Sequence, residues 1–331
     1  MLTKLGQVNK HKRMLKLLSL LLLAPCVEAA PLGTIPQVQE GPARVEIEYL
    51  TDLWTSPNQN KENAVRLYNV SLKVPLVATE KWTGSFHGDL EGYDLGRPDL
   101  TIGEHNVRVG SDLRAQSLGF GLSRHPGDGR WTNYFGSYRS SSDEPYGSSR
   151  DTWVEHAFFH AFKPNGTYQW VTGFNYSKNR GFLNDQLIPI LGVAYKPYSD
   201  LTVITGFPFF YFDMNIENYI RAQLTLTPVG LNAEFSHKIN DDLSIRLRSG
   251  IATRSYLHHN RVEDKERFFV NSKYIDISFR RVLSAKTQYG LALGYSFDRE
   301  FYEGEQAFRP QGARTTIGPD LTGGFVMEIL L

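Results

Sequence analysis

One cysteine occurs in 331 residues, and it stands at Cys26, inside an N-terminal stretch that reads as a removable address. Lys10, Lys12, Arg13 and Lys16 precede the apolar run Leu17–Ala24, and Val27 and Ala29 are placed for cleavage after Ala29. The run is too short to cross a bilayer, which takes roughly 20 apolar residues, so residues 1–29 are read as a secretory signal. Leu23-Ala24-Pro25-Cys26 is a poor lipoprotein box because of Pro25, and the thiol leaves with the signal. Without it the mature chain has no disulfide, cysteine nucleophile or cysteine-bound metal.

Charge of one sign is also missing. Lys and Arg number 36 against 35 Asp and Glu, which leaves no electrostatic footprint for nucleic acid. After the signal no long apolar run remains. A membrane crossing would therefore have to be made by strands, since only helices and closed barrels satisfy every backbone group in lipid. No glycine-rich phosphate loop or zinc motif is present, and no cofactor is expected.

What is present is an alternation of short turns and long connections. Ala78–Lys81, Pro126–Gly129, Pro164–Gly166, Pro197–Asp200, Asn240–Asp242 and Leu283–Lys286 are short and polar. Between them run Ser56–Glu62, Gly92–His105, Ser140–Thr152, Asn179–Gln186, Phe210–Asn218, His258–Arg267 and Arg299–Asp320. The segments so delimited alternate with period two: Tyr289, Leu291, Leu293, Tyr295 and Phe297 share one face, and Gln288, Gly290, Ala292, Gly294, Ser296 and Asp298 the other. Leu243–Thr253, Tyr274–Arg280 and Val45–Leu53 repeat the pattern. A half-buried soluble sheet alternates likewise. Here, however, one face is large and apolar with aromatics toward its ends, and no helix is available to cover it. The 17 Tyr and 20 Phe suit aromatic girdles.

These features predict an all-β fold: a closed antiparallel up-and-down transmembrane β-barrel with short periplasmic turns and long extracellular loops. Residues 30–42 form a short periplasmic segment and 43–331 the barrel. Fourteen strands are expected, at about 43–54, 64–76, 81–91, 106–125, 130–139, 153–162, 167–178, 187–196, 201–209, 219–238, 243–257, 268–282, 287–298 and 321–331. The Phe207–Tyr219 region is the weakest division, and losing a pair there leaves 12. Leu224 and Leu226 have one parity and Val229, Leu231, Ala233 and Phe235 the other, which a bulge at Thr227–Pro228 would reconcile.

Gly206-Phe207-Pro208 and the run Gly290 to Phe301 (GLALGYSFDREF) resemble a family of outer-membrane β-barrel proteins of Gram-negative bacteria that carries no assigned activity. The resemblance implies a barrel and no functional residue. Phe325, Met327, Ile329 and Leu331 resemble the C-terminal signal read by the barrel-assembly machinery, with Leu in place of the commoner terminal Phe or Trp. Expected partners are outer-membrane lipid and lipopolysaccharide, that machinery, and small polar solutes.

On the assigned parity the lumen receives Glu46, Glu48, Asp52, Glu234, Arg246, Arg248, Asp276 and Arg280. Opposed acidic and basic walls create a transverse field that steers polar solutes. Equally, the five charges on neighbouring strands can pair across the sheet and hold the wall. The reading is a porin-like channel for small solutes, with a structural barrel of closed lumen as alternative and a lipid hydrolase third. For the hydrolase, Ser123-Arg124-His125 and Ser255 near His258 match no known motif. His258-His259 beside Glu263, Asp264 and Glu266 are metal-ligand types in a solvated loop, and His156 and His160 share a strand face with Phe158 and Phe162. The longest loop, from Arg299-Glu300-Phe301-Tyr302 through Phe308, Arg309, Pro310 and Arg314, is a candidate lid, a lipopolysaccharide contact or a disordered surface loop.

Overall fold

The computed structural model describes residues 43–53, 65–95, 101–102, 107–108, 112–216 and 219–331. The expected signal, Cys26 and the whole 30–42 segment lie outside these residues, as do parts of the first two outer loops.

The strands are β1 (Arg44–Asp52), β2 (Arg66–Ala78), β3 (Trp82–Asp94), β4 (Thr101–Ile102), β5 (Val107–Arg108), β6 (Asp112–Arg124), β7 (Trp131–Ser142), β8 (Thr152–Ala161), β9 (Tyr168–Ser177) and β10 (Gln186–Tyr198). They continue with β11 (Leu201–Phe207), β12 (Phe210–Ile216), β13 (Ile220–Thr227), β14 (Gly230–Lys238), β15 (Leu243–Tyr256), β16 (Arg267–Ser284), β17 (Thr287–Gln306), β18 (Arg309–Ile317) and β19 (Asp320–Leu330). Each barrel strand pairs antiparallel with the next, and β19 pairs with both β17 and β1, which closes the ring. Omitting β4 and β5, which pair only with each other, and β18, which pairs only with the tip of β17, sixteen strands form the barrel. A ring of that size is wide enough for an aqueous channel.

The expected count of 14 is corrected to sixteen, and both extra strands come from 201–238. The expected outer loop Phe210–Asn218 is largely strand β12, and the bulge at Thr227–Pro228 is a full reversal between β13 and β14. Leu226 pairs with Leu231 and Leu224 with Ala233, so a two-residue hairpin turn switches the outward parity as a one-residue bulge would. The apolar pattern alone could not tell the two apart. Pro208 and Pro228 stand in the tight turns, where no N–H is required for the ladder.

The six expected short turns all join neighbouring strands on one side of the barrel, with the β12–β13 connection a seventh. Outward residues on the strands are apolar and exposed: Leu118, Phe120 and Leu122 on β6, Leu187 and Leu191 on β10, Leu291 and Leu293 on β17, Leu321 and Phe325 on β19. Trp82, Tyr168, Trp170, Tyr198 and Tyr219 mark the rim near the short turns, and Tyr138 and Tyr295 lie toward the other rim. An apolar band between aromatic girdles, on a ring with no free edge, is the arrangement that lipid demands.

The wall is uneven. β11 and β12 have 7 residues each, whereas β15, β16 and β17 have 14, 18 and 20. The long strands do not continue straight upward. A bulge interrupts the β16–β17 register, where Asn271 faces Glu300 but Lys273 faces Phe297, and Asp298 takes a left-handed φ of 47°. A bulge bends its strand, and Asp tolerates that conformation better than most residues. Arg299 beside it is pinned by Asp52 of β1 through contacts of 2.7 and 2.9 Å. Beyond the bend the upper parts of β15–β18 fold inward as a lobe. Its Tyr256, Phe268, Val270, Phe301 and Ile317 pack with Val65, Tyr93, Leu95 and Leu113 at the outer ends of β2, β3 and β6, beyond β19 and β1 around the ring, in one buried cluster.

Candidate functional site

Beneath the lobe the lumen has two unlike walls. Inward positions of β7–β11 carry Phe135, Ala157, Phe159, Ala161, Val171, Ile190, Ala194 and Ile204, grouped in two buried clusters to which the hairpin-tip residue Phe209 contributes. Inward positions of β1 and β14–β16 carry the charges. Two cavities remain between the walls, of about 540 and 310 Å³, and both touch Thr225, Thr227 and Arg254.

All eight charges read from the sequence lie on barrel strands, and six of them enter ion pairs. Arg248 Nε lies 3.0 Å from Asp276 of the neighbouring β16, and its Nη2 lies 2.7 Å from Glu48 of β1. The second contact passes over β16, β17 and β19, a chord across the lumen. It is open because Gly290, Ala292, Gly294 and Gly324 supply the adjacent inward positions. A Cβ on Gly294 would come within 2.9 Å of the Asp276 Cβ, so glycine there makes room for the carboxylate that holds Arg248. Arg246 bonds Glu234, and Asp52 bonds Arg299. Arg280 stands on β16 opposite Ser244 and joins none of these pairs. Glu46 faces Glu328 across β1–β19, where Arg44 reaches Glu328 at 3.3 Å. The charges thus pair with one another and also line the smaller cavity, so the two readings of their role are compatible.

Several lumen charges escaped the sequence reading. Arg254 shares the parity of Arg246 and Arg248 and pairs with Glu91 at 3.1 Å, while Arg139 pairs with Glu155 on the next strand. Extending the alternation one turn further would have found Arg254 and Glu91. Arg180 lies in the β9–β10 loop, where no periodicity exists to reveal which way a side chain points.

The outer mouth is sealed. β7 and β15 are the fifth and thirteenth strands of the sixteen, hence opposite one another, yet Leu257 N donates to Ser141 O at 2.7 Å and Ser141 Oγ to Ser255 O at 2.9 Å. The β17–β18 tip crosses too: Ala307 N donates to Gly181 O at 2.7 Å and Asn184 Nδ2 to Glu305 O at 2.9 Å. A polar latch stands above, between the loops 143–151 and 257–266. Arg261 is fully buried and meets Asp151 at 2.8 Å, His259 meets the same carboxylate at 2.7 Å, and His258 meets Asp143 at 3.2 Å. Burial alone would raise the Asp151 pKa, but hydrogen bonds from Ser148, Arg261 and His259 hold it below the usual carboxylate range. The Asp151 hydrogen bond in turn raises the His259 pKa above the ordinary imidazole value.

The expected loop histidines therefore face Asp143, Glu144 and Asp151 rather than Glu263, Asp264 and Glu266. Asp264 bonds Arg150, and Glu266 accepts from Glu263 N. His156 and His160 point to the outer face, where Tyr134 and Thr132 bond them at 2.8 Å. Ser123 Oγ does lie 2.7 Å from His125 Nε2, but Ser123 is buried and donates to Asn133 Oδ1. With its proton so committed, the hydroxyl receives a proton from the imidazole instead of giving one, the reverse of what a nucleophile needs.

No protein-family model matches the chain, and no curated protein matches it. Among solved structures it is similar to the translocator domain of the autotransporter NalP from Neisseria meningitidis, at 11% identity over 99% of this chain and 98% of that one, with a TM-score of 0.32. It is also similar to the Pseudomonas putida toluene transporter TodX, at 8% identity over 88% and 89% with a TM-score of 0.36. The NanC porin matches at 8% identity over 87% and 99%, with a TM-score of 0.31. All are outer-membrane barrels. The barrel described above rests on this chain's own ring of paired strands.

Proposed function

We propose that this protein is a gated channel of the bacterial outer membrane for small solutes, held shut on its outer side by its own β15–β18 lobe. The observation that carries the reading is a hollow beneath a lid: about 540 and 310 Å³ of space under a seal made of one folded-over lobe and an ion-paired latch. A barrel serving only as a scaffold has no use for such a hollow, since empty space forgoes packing. The bulge at Asp298–Arg299 is the bend about which the lobe would lift, and Asp52–Arg299 is the pin.

Export through the periplasm, passage of the C-terminal strand to the assembly machinery, and lipopolysaccharide around the outer rim belong to the same proposal. The outward Phe325 near the C-terminus fits it, and so does the apolar band.

Single-channel recording of purified protein in planar bilayers tests the proposal. Wild type should show rare unit steps, and Arg261→Ala should make them more frequent at unchanged amplitude, because the latch has gone and the lumen has not changed. The dry aromatic seal favours a second reading, a permanently closed structural barrel. Absence of reproducible steps from both proteins would establish that reading and end the channel proposal.

A further inference from the structure

The larger cavity contains a charge that forms no ion pair among the described residues. Arg180 is 8% exposed and lines the cavity. Its Nη2 donates to the backbone oxygens of Asn175, Ser177 and Gln186, while Nε and Nη1 are buried without a hydrogen-bond partner. Of the carboxylates that line the cavity, Glu155 pairs with Arg139 and Glu91 with Arg254, and Asp89 of β3 accepts from Ser117. Burial lowers the Arg180 pKa to about 10, which still leaves the guanidinium charged at neutral pH. Trp153, on the same wall, has a buried indole N–H with no partner either. A buried guanidinium with donors unused is expensive, and its counterpart is an anion.

The rest of the cavity says what the anion carries. Trp153, Asn175 and Arg180 stand at its outer end. Below them Phe135 of β7, Phe159 of β8 and Ile190 of β10 form an apolar floor to which Phe209 adds from the β11–β12 tip, while polar and charged side chains of β2, β3 and β15, among them Lys73, Asp89 and Arg254, line the rest. Donors above an apolar floor fix the orientation of an amphipathic ligand.

We propose that this cavity binds a small organic carboxylate with an aromatic or aliphatic body, its head on Arg180 and Trp153 and its body against Phe135, Phe159 and Phe209. The inference names a solute class for the channel and rests on that reading for its biological meaning, but binding can be measured apart from conduction.

Isothermal titration of the purified full-length barrel in detergent with phenylacetate, phenylacetamide and acetate is the test. Phenylacetate should bind one to one. Removing the charge or the ring should each weaken binding by about tenfold or more, the worth of a charge-assisted hydrogen bond or a buried ring. Arg180→Gln should abolish the preference for phenylacetate over phenylacetamide. The proposal is overturned if phenylacetate does not bind, if phenylacetamide binds as well, or if acetate binds as well. The wild-type series decides alone should Arg180→Gln fail to fold. Binding without conduction in bilayers would remove the channel and leave the site, and conduction without binding would do the opposite.

Discussion

The two walls of the lumen are held by different physics. On β14–β16 and β1, long charged side chains reach across small residues and satisfy one another, as Arg248 does with Asp276 and Glu48. On β7–β11, aromatic and aliphatic side chains pack together beside the Arg139–Glu155 pair, and Arg180 in the β9–β10 loop is left only half satisfied. A wall whose charges are already paired holds shape and offers little to a solute. A wall that is mostly greasy, with a single underused cation at its edge, offers an oriented berth.

Loss of Arg248 should separate the walls most sharply. Arg248→Ala strands two carboxylates inside the lumen and should cost about 4 kcal/mol in urea unfolding from lipid vesicles, as for other broken buried ion pairs. A cost below about 1 kcal/mol would mean that lumen water screens the triad and that the charged wall is not structural. The outside provides the next contrast. Leu291→Lys places an ammonium in acyl chains and should cost about 3 kcal/mol, while Ala292→Ser, one residue along and facing inward, should change little. Equal effects at the two positions would contradict the assigned faces.

On the greasy wall, Phe159→Ala should cost about 2 kcal/mol, less than a filled core would lose, because its side chain already borders empty space. The same substitution should weaken phenylacetate binding. If stability falls and binding does not, the body of the ligand lies elsewhere.

The smallest effect concerns the latch. The His259 pKa is raised by Asp151, with Glu144 and Asp143 also facing the ring. Its contribution to the closed lobe is therefore complete below the free imidazole pKa of about 6.5 and is lost as pH rises through the raised value. Asp151, whose pKa is lowered, stays ionised through that window. Unit-step frequency in bilayers should therefore increase modestly from pH 6 to pH 8, and His259→Gln should flatten the dependence. A rise toward acid pH instead would reverse the assigned roles.

Much of the barrel was legible in the chain because a strand in a lipid-facing wall obeys one local rule: every second residue meets acyl chains. Leu291 and Leu293 against Gly290 and Gly294 show it without any fold. The same rule failed at Pro228, since a hairpin and a bulge flip parity identically. It could not reach Arg180, because a loop has no period. The lid was named in the sequence only as one of three options for the segment after Arg299.

The alternation of greasy and polar residues by itself determined that this chain makes a membrane cylinder, how its strands face, and which charges point inward. Only the tertiary structure decided that there are sixteen staves, that the outer mouth is shut, and that Arg180 is left without a counter-charge. The shut mouth depends on contacts between residues more than a hundred positions apart, such as Ser141 with Leu257 and Asp52 with Arg299, and the strand count on which way the chain turns at Pro208 and Pro228. Local pattern records solvent, whereas closure and pairing record which distant parts of the chain are brought together.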